Sequence, residues 1–381
     1  MHASTLIQLC ALATVVFAHS DKPMGRDEFN ARRALADARH LKARACSSQV
    51  SEFAGRRKAK RGLALKKRSN EKRCESHSES STYPHPTMSF TETAPVPHHT
   101  AIKDLPGSTC VASPEIHEGP YFVNNELVRW NLTEDQIGVP LIMDFGVIDI
   151  STCEPMQDIF VEVWAANATG IYSAYPAAIP NNITVSSSAS NPASTSFTIT
   201  PFPDPTSSLM SSAVANTTTS AFVRPPMQRN ETFLRGGMPT NEDGIVELHT
   251  IYPGYYTNRA PHMHAVFHHD WKMSPNGTVI SRSGTNLHTG QFFFAEEIND
   301  AVYSLPLYQN WDYLRVLNVN DRLLNMLAEA DRSSAFFDLE MIGDTVEDGF
   351  YAYITVLLDP TRVVPLINNF YFNSTGYTPP V

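Results

Sequence analysis

The chain has 381 residues, 29 Lys and Arg against 39 Asp and Glu for a formal charge of −10, and is 42% hydrophobic but only 18% charged. That length holds one large domain or two ordinary ones, and the apolar share supplies a full core. The acidic balance leaves no basic surplus to neutralise phosphates, which excludes a general nucleic-acid binder.

Residues 1–18, MHASTLIQLCALATVVFA, read as a secretory signal. The apolar run from Leu6 to Phe17 is short for a bilayer span and ends in small-residue spacing suited to cleavage after Ala18. No other segment has ~18 uninterrupted apolar residues, so no membrane partner is expected. Asn131, Asn167, Asn182, Asn216, Asn230, Asn276 and Asn373 each lie in N-x-S/T without proline. That motif accepts N-linked glycans only in the secretory route, so it agrees with an extracellular destination. Removing the signal takes Cys10 and leaves Cys46, Cys74, Cys110 and Cys153, which allow two disulfides in an oxidising compartment. It would also expose His19, whose amine and ring could chelate copper.

Residues 19–104 read as an N-terminal extension. DEFNARRALADARHLKARACSSQVSEF has the pattern of an amphipathic helix, and RRKAKRGLALKKRSNEKRC follows as a basic run. The pairs Lys60–Arg61, Lys67–Arg68 and Lys72–Arg73 suit a processing protease, with a solvated basic face as the alternative. Residues 75–100, rich in Ser, His, Pro and Thr, read as a linker.

Residues 105–366 change character and read as the β domain, with 367–381 as a tail. GVPLIMDFGVIDI is β-like, and Ile159, Val161 and Val163 keep a period of two before a turn at Asn167–Gly170. STSFTIT is a further candidate strand, followed by a surface excursion, PFPDPTSSLMSSAVANTTTS. ETFLRGGMPTNEDGIVELHTIYPGYY gives strand, turn at Asn241–Gly244, strand, and a tight turn at Pro253–Gly254. APHMHAVFHH reads as a central strand, GFYAYITVLLDP as a last one, and DRLLNMLAEADR as the best helix candidate. Many strands with turn signals and few helices predict a mostly β fold, a sandwich or barrel.

On that central strand, His262 and His264 share a face because strand side chains alternate. Arg259 and Tyr256 precede them closely, just after the proline-glycine turn, and His268 keeps the parity of the pair. Imidazoles alone suit zinc, copper or iron, whereas phenolate is a hard donor that favours a strongly acidic cation. No carboxylate is spaced to complete the two-histidine, one-carboxylate pattern of ferrous sites. On local chemistry Tyr255 competes with Tyr256, and Trp164 reads as core.

Four stretches then carry a resemblance: EGPYFVNNELVRWNLTEDQIGVPLIMDFGVIDISTCEP, VEVWAANATGIYSAY, TFLRGGMPTNEDGIVELHTIYPGYYTNRAPHMHAVFHH and HTGQFFFAEEINDAV. The sequence resembles the intradiol ring-cleavage dioxygenases, especially the secreted fungal branch similar to protocatechuate dioxygenase subunits. The resemblance implies a β-sandwich of mixed and antiparallel sheets. It also implies one non-haem Fe(3+) per chain, held by Tyr172, Tyr256, His262 and His264, with Tyr256 and Arg259 in catalytic roles and Gln291 nearby. The implied partners are a small aromatic diol and O2, giving a cis,cis-muconate-type diacid, with homodimerisation left open. Pairing of Cys110 with Cys153 follows if the family-like segment is self-contained, with Cys46 and Cys74 joined in the extension. The competing reading is a secreted β-sandwich that binds metal or glycan without catalysis.

Overall fold

The structure is a computed structural model. It describes residues 26–59, 109–110, 118–175, 227–256, 258–309, 314–327, 332, 334–368, 370 and 371. The signal segment, His19, Cys74, the dibasic pairs, the linker, STSFTIT and the serine-threonine excursion lie outside the described residues.

Helix α1 (Arg26–Ala45) and a second helix, α2 (47–59), are followed by strands β1 (Thr109–Cys110), β2 (Pro140–Asp149) and β3 (Phe160–Trp164). Next come β4 (Arg235–Pro239), β5 (Ile245–Ile251), β6 (His262–His269) and β7 (Thr285–Phe293). Helices α3 (Glu296–Tyr303) and α4 (Arg322–Asn325) precede β8 (Asp338–Met341) and β9 (Phe350–Leu358). Within the segment expected to be the best helix, the four residues of α4 are helical, capped by the Asp321 side chain on the Leu324 N–H, and Arg332 at its end is helical too.

The strands make two sheets. In the larger, β2 lies between β5, antiparallel, and β9, parallel, while β9 also pairs with β1 and β8. The smaller has the order β4-β3-β6-β7, antiparallel throughout. Alternation explains how they stack. Leu141, Met143, Phe145 and Val147 of β2 meet Val161 and Val163 of β3 and Met263, Ala265 and Phe267 of β6 in one core. The fold is therefore a β-sandwich of mixed and antiparallel sheets, as the resemblance implies; the strand pattern by itself left sandwich or barrel open.

What alternation turns outward from the larger sheet is covered by α1 and α2. Ala43, Cys46, Val50 and Phe53 pack with Ile148, Ile150 and Leu357. Arg57, which belongs to the basic run, is buried and not solvated. Its guanidinium bonds the Asp144 carboxylate at 2.6 Å, the Thr355 hydroxyl at 2.7 Å and the Ile354 carbonyl at 3.1 Å. Gly146 permits this approach, since a Cβ there would collide with Phe53 and Arg57.

The disulfide corrects the expected pairing. Cys46 is joined to Cys153, a sequence separation of 107, and not to Cys74. Cys110 is therefore not the partner of Cys153. The expectation assumed that the extension pairs within itself, but α2 docks on the sheet beside the β2–β3 turn and carries Cys46 to Cys153.

Candidate metal centre

The outer face of the smaller sheet carries the site. His262 and His264 project there because Met263 and Ala265 occupy the core side. Cross-strand register puts Trp164 on one side of His264 and Gln291 on the other. Trp164 is buried, and its ring stacks on His264 with centroids 4.6 Å apart and 10° between planes. It is thus core in burial, yet it braces a site residue. His268 shares the face but bonds Glu162 at 2.6 Å, away from the pair.

Two turns bring the tyrosines. In the first, the Asn167 side-chain oxygen accepts from the N–H groups of Thr169 and Ile171, which delivers Tyr172 beyond it. In the second, the Gly254 N–H donates to the Asn167 carbonyl at 3.0 Å. A Cβ on Gly254 would sit 2.5 Å from the Ala168 carbonyl, so only glycine lets these backbones meet. The two phenols consequently converge, Tyr172 Oη donating to Tyr256 Oη at 3.4 Å. The neighbouring Tyr255 instead packs its ring on Tyr303, with centroids 5.1 Å apart.

Four donor atoms therefore face one another. Tyr256 Oη is 3.3 Å from His262 Nε2, and His262 Nε2 is 3.0 Å from His264 Nε2. The His262 Nδ1–H donates to the Ala260 carbonyl at 2.6 Å, leaving the Nε2 lone pair free for a cation. Burial, reinforced by Arg259, lowers the His262 pKa to about 3 and keeps this ring neutral. Burial pushes the Tyr172 phenol well above its ordinary value, with Tyr256 adding to the shift, and burial also raises Tyr256. Neither phenol ionises unaided at neutral pH; a strongly acidic cation is what would reverse that.

These atoms fit a metal. Bonds of roughly 2.0–2.1 Å set neighbouring donors about 2.9 Å apart at right angles and about 3.4 Å apart at the tetrahedral angle. The observed 3.0, 3.3 and 3.4 Å separations lie in that interval. Among the described residues no group of three or more His, Cys, Asp or Glu could hold a metal, so the tyrosines are essential to the set.

Arg259 stands beside it, tied by Nε to Asp321 at 2.9 Å and by Nη2 to Gln291 in a very short contact. Asp321 also accepts from the Ala260 N–H and the Leu324 N–H, both at 2.9 Å. Burial alone would raise the Asp321 carboxyl, but the Arg259 charge and hydrogen bond bring it below its usual value. Sequence reading missed Asp321; nothing in its local pattern marks it, beyond a position suited to capping a helix. It also missed Tyr121, whose ring stacks on Tyr172 at 4.5 Å.

No protein-family model and no curated protein match the chain. Several solved structures do. An intradiol ring-cleavage dioxygenase from Tetranychus urticae is 23% identical, covering 67% of this chain and 97% of its own, with a TM-score of 0.46. The dioxygenase domain of a carbohydrate-binding fusion from Streptomyces sp. SirexAA-E is 19% identical over 65% and 97%, at 0.34. Catechol 1,2-dioxygenase from Pseudomonas arvilla C-1 is 14% identical over 68% and 68%, at 0.36. The names agree with the group that the motifs resemble and do not speak to its secreted fungal branch.

Proposed function

We propose that the chain binds one ferric ion through Tyr172, Tyr256, His262 and His264 and cleaves a catechol-type ring between its two hydroxylated carbons with O2. The product is a cis,cis-muconate-type diacid. One observation carries this reading: the buried phenol of Tyr172, the half-buried phenol of Tyr256 and two imidazole nitrogens converge at metal-ligand separations with no carboxylate among them. When bound, the ion supplies Lewis acidity that draws electron density from the diol and readies the ring for O2.

The chain's own residues do the rest. Tyr256, at the end of a turn and bonded by Oη to Tyr172 and His262, is the ligand best placed to leave its position and take a substrate proton at Oη. Tyr172 is locked from behind by stacked Tyr121, which suits it to stay. Arg259 keeps its charge at any working pH and sets it beside an anionic diol. Asp321 and Gln291 hold that guanidinium at two of its nitrogens, so the cation is in place before substrate arrives. Trp164 and Tyr121 close the site with aromatic walls that exclude water.

The same reading sends the protein out of the cell with N-linked glycans; the Cys46–Cys153 disulfide supports an oxidising compartment. The test is metal content, visible absorption and oxygen uptake with catechol, protocatechuate and hydroxyquinol. We expect one iron per chain, a burgundy colour from tyrosinate-to-iron charge transfer, and uptake on at least one diol. A colourless zinc protein would overturn the iron site. A coloured protein that consumes no oxygen on any diol would leave only metal binding.

A further inference from the structure

Behind the candidate metal centre lies a buried charge that the proposed chemistry does not use. Arg235, opposite Trp164 across the β3–β4 pair, is 1% exposed. Its Nε donates to the Ser173 hydroxyl at 2.5 Å and its Nη2 to the Ser173 carbonyl at 2.9 Å. The guanidinium carbon lies 6.0 Å from the Tyr172 ring centroid and 5.8 Å from that of Tyr175. Its carboxylate neighbour, Glu126, is 3.5 Å from Nη1, too far for a strong bond. Taking a guanidinium out of water is costly unless its donors are used. Here both bonded donors go to one residue, the one that follows Tyr172.

The turn they grip is not one the chain would hold alone. Ala174 has φ of 66°, a left-handed conformation that costs a residue with a Cβ roughly 1 kcal/mol or more. The Tyr175 N–H closes the turn on the Tyr172 carbonyl at 3.0 Å, and the arginine fork clamps it from the other side. The ring of Tyr172 is thus set by its stacking on Tyr121, and its backbone by Arg235.

We propose that Arg235 is a positioning residue for Tyr172: by gripping both the hydroxyl and the carbonyl of Ser173 it fixes the turn that presents the phenol to the metal. This rests on the ferric reading above. Its consequence is selective, because the hydrogen bonds of the Arg235 side chain go to Ser173, next to Tyr172, whereas among the described residues it bonds none of Tyr256, His262 and His264.

The test compares Arg235→Lys and Ser173→Ala in the wild-type and Tyr172→Phe proteins, reading the charge-transfer band and the rate of iron loss to a chelator. Lysine keeps the charge but lacks the fork, and Ser173→Ala removes the hydroxyl acceptor while leaving the Ser173 carbonyl to Nη2, at a stability cost of about 1–3 kcal/mol. In the wild-type background each should shift the band and speed iron loss about tenfold, the scale of losing an outer partner of a ligand. In the Tyr172→Phe background neither should change anything further. Equal effects in both backgrounds, or none in either, would overturn the proposal. Should Tyr172→Phe hold no iron, Tyr256→Phe replaces it: the surviving band then belongs to Tyr172, and Ser173→Ala must shift it. A wild-type protein with no such band would overturn the iron reading and this inference together, whereas an intact band indifferent to Arg235 and Ser173 overturns the inference alone.

Discussion

Replacing Asp321 with alanine removes three hydrogen bonds at once, to Arg259 Nε, the Ala260 N–H and the Leu324 N–H, each at 2.9 Å. Arg259 would keep only Gln291 among these partners, and a cation only 12% exposed, stripped of its carboxylate, should cost about 3 kcal/mol, the lower end of the range for a fully buried pair. The converse change is milder. Arg259→Ala leaves Asp321 buried but still bonded to two backbone donors, so we expect about 1.5–3 kcal/mol, the scale of one charge-assisted bond. In the double variant neither charge is orphaned, and its loss should fall short of the sum by about 0.5–3 kcal/mol. Urea unfolding of the metal-free, disulfide-intact proteins measures all three, since bound ion would otherwise shift the equilibrium. Losses that add to within about 0.3 kcal/mol would show that the two side chains do not depend on each other and would refute the assigned pairing.

Four other outcomes are expected. Arg259→Ala should keep iron and resting colour yet slow oxygen uptake ~100-fold, the scale of removing one donor to developing charge; normal uptake would place Arg259 outside the chemistry. Burial pushes the Glu126 carboxyl up from 4.5 to about 8, against the pull of Arg235 and Arg129 and with the push of Glu162. A folded-state pKa above the unfolded one means this group's contribution is complete below pH 4.5 and is lost as pH rises through about 8, so Glu126→Gln should flatten the fall of the melting temperature across that window. In secreted protein, peptide mapping should find glycan on the exposed Asn131, Asn230 and Asn276 but not on Asn167, whose amide is tied to Gln136 and to its own turn. Gly146→Val should undock α2, visible as faster hydrogen exchange over residues 47–59 with the Cys46–Cys153 bond still formed.

Much of the sandwich was legible because strand alternation is a local property. The period of two in β2, β3 and β6 states which side chains face the core, and the same rule puts His262 and His264 together on the other face. The candidate donors could be weighed by chemistry too, since phenols with imidazoles and no spaced carboxylate favour a strongly acidic cation, although Tyr172 entered only through the family resemblance. What lay beyond reach depends on how separate segments pack. Only the meeting of the Gly254 turn with the Asn167 turn brings the Tyr256 phenol to that of Tyr172 while Tyr255 packs on Tyr303, because both tyrosines sit in the same local pattern. Only the approach of the α4 end to the Arg259 loop turns Asp321 from a helix cap into the anchor of a cation. Cys46 finds Cys153 across 107 positions because α2 lies on a sheet face whose glycine and carboxylate receive Phe53 and Arg57. Cysteine spacing carries no record of that docking: chain separation does not limit which thiols meet once a helix is held against a sheet by burial and a desolvated ion pair.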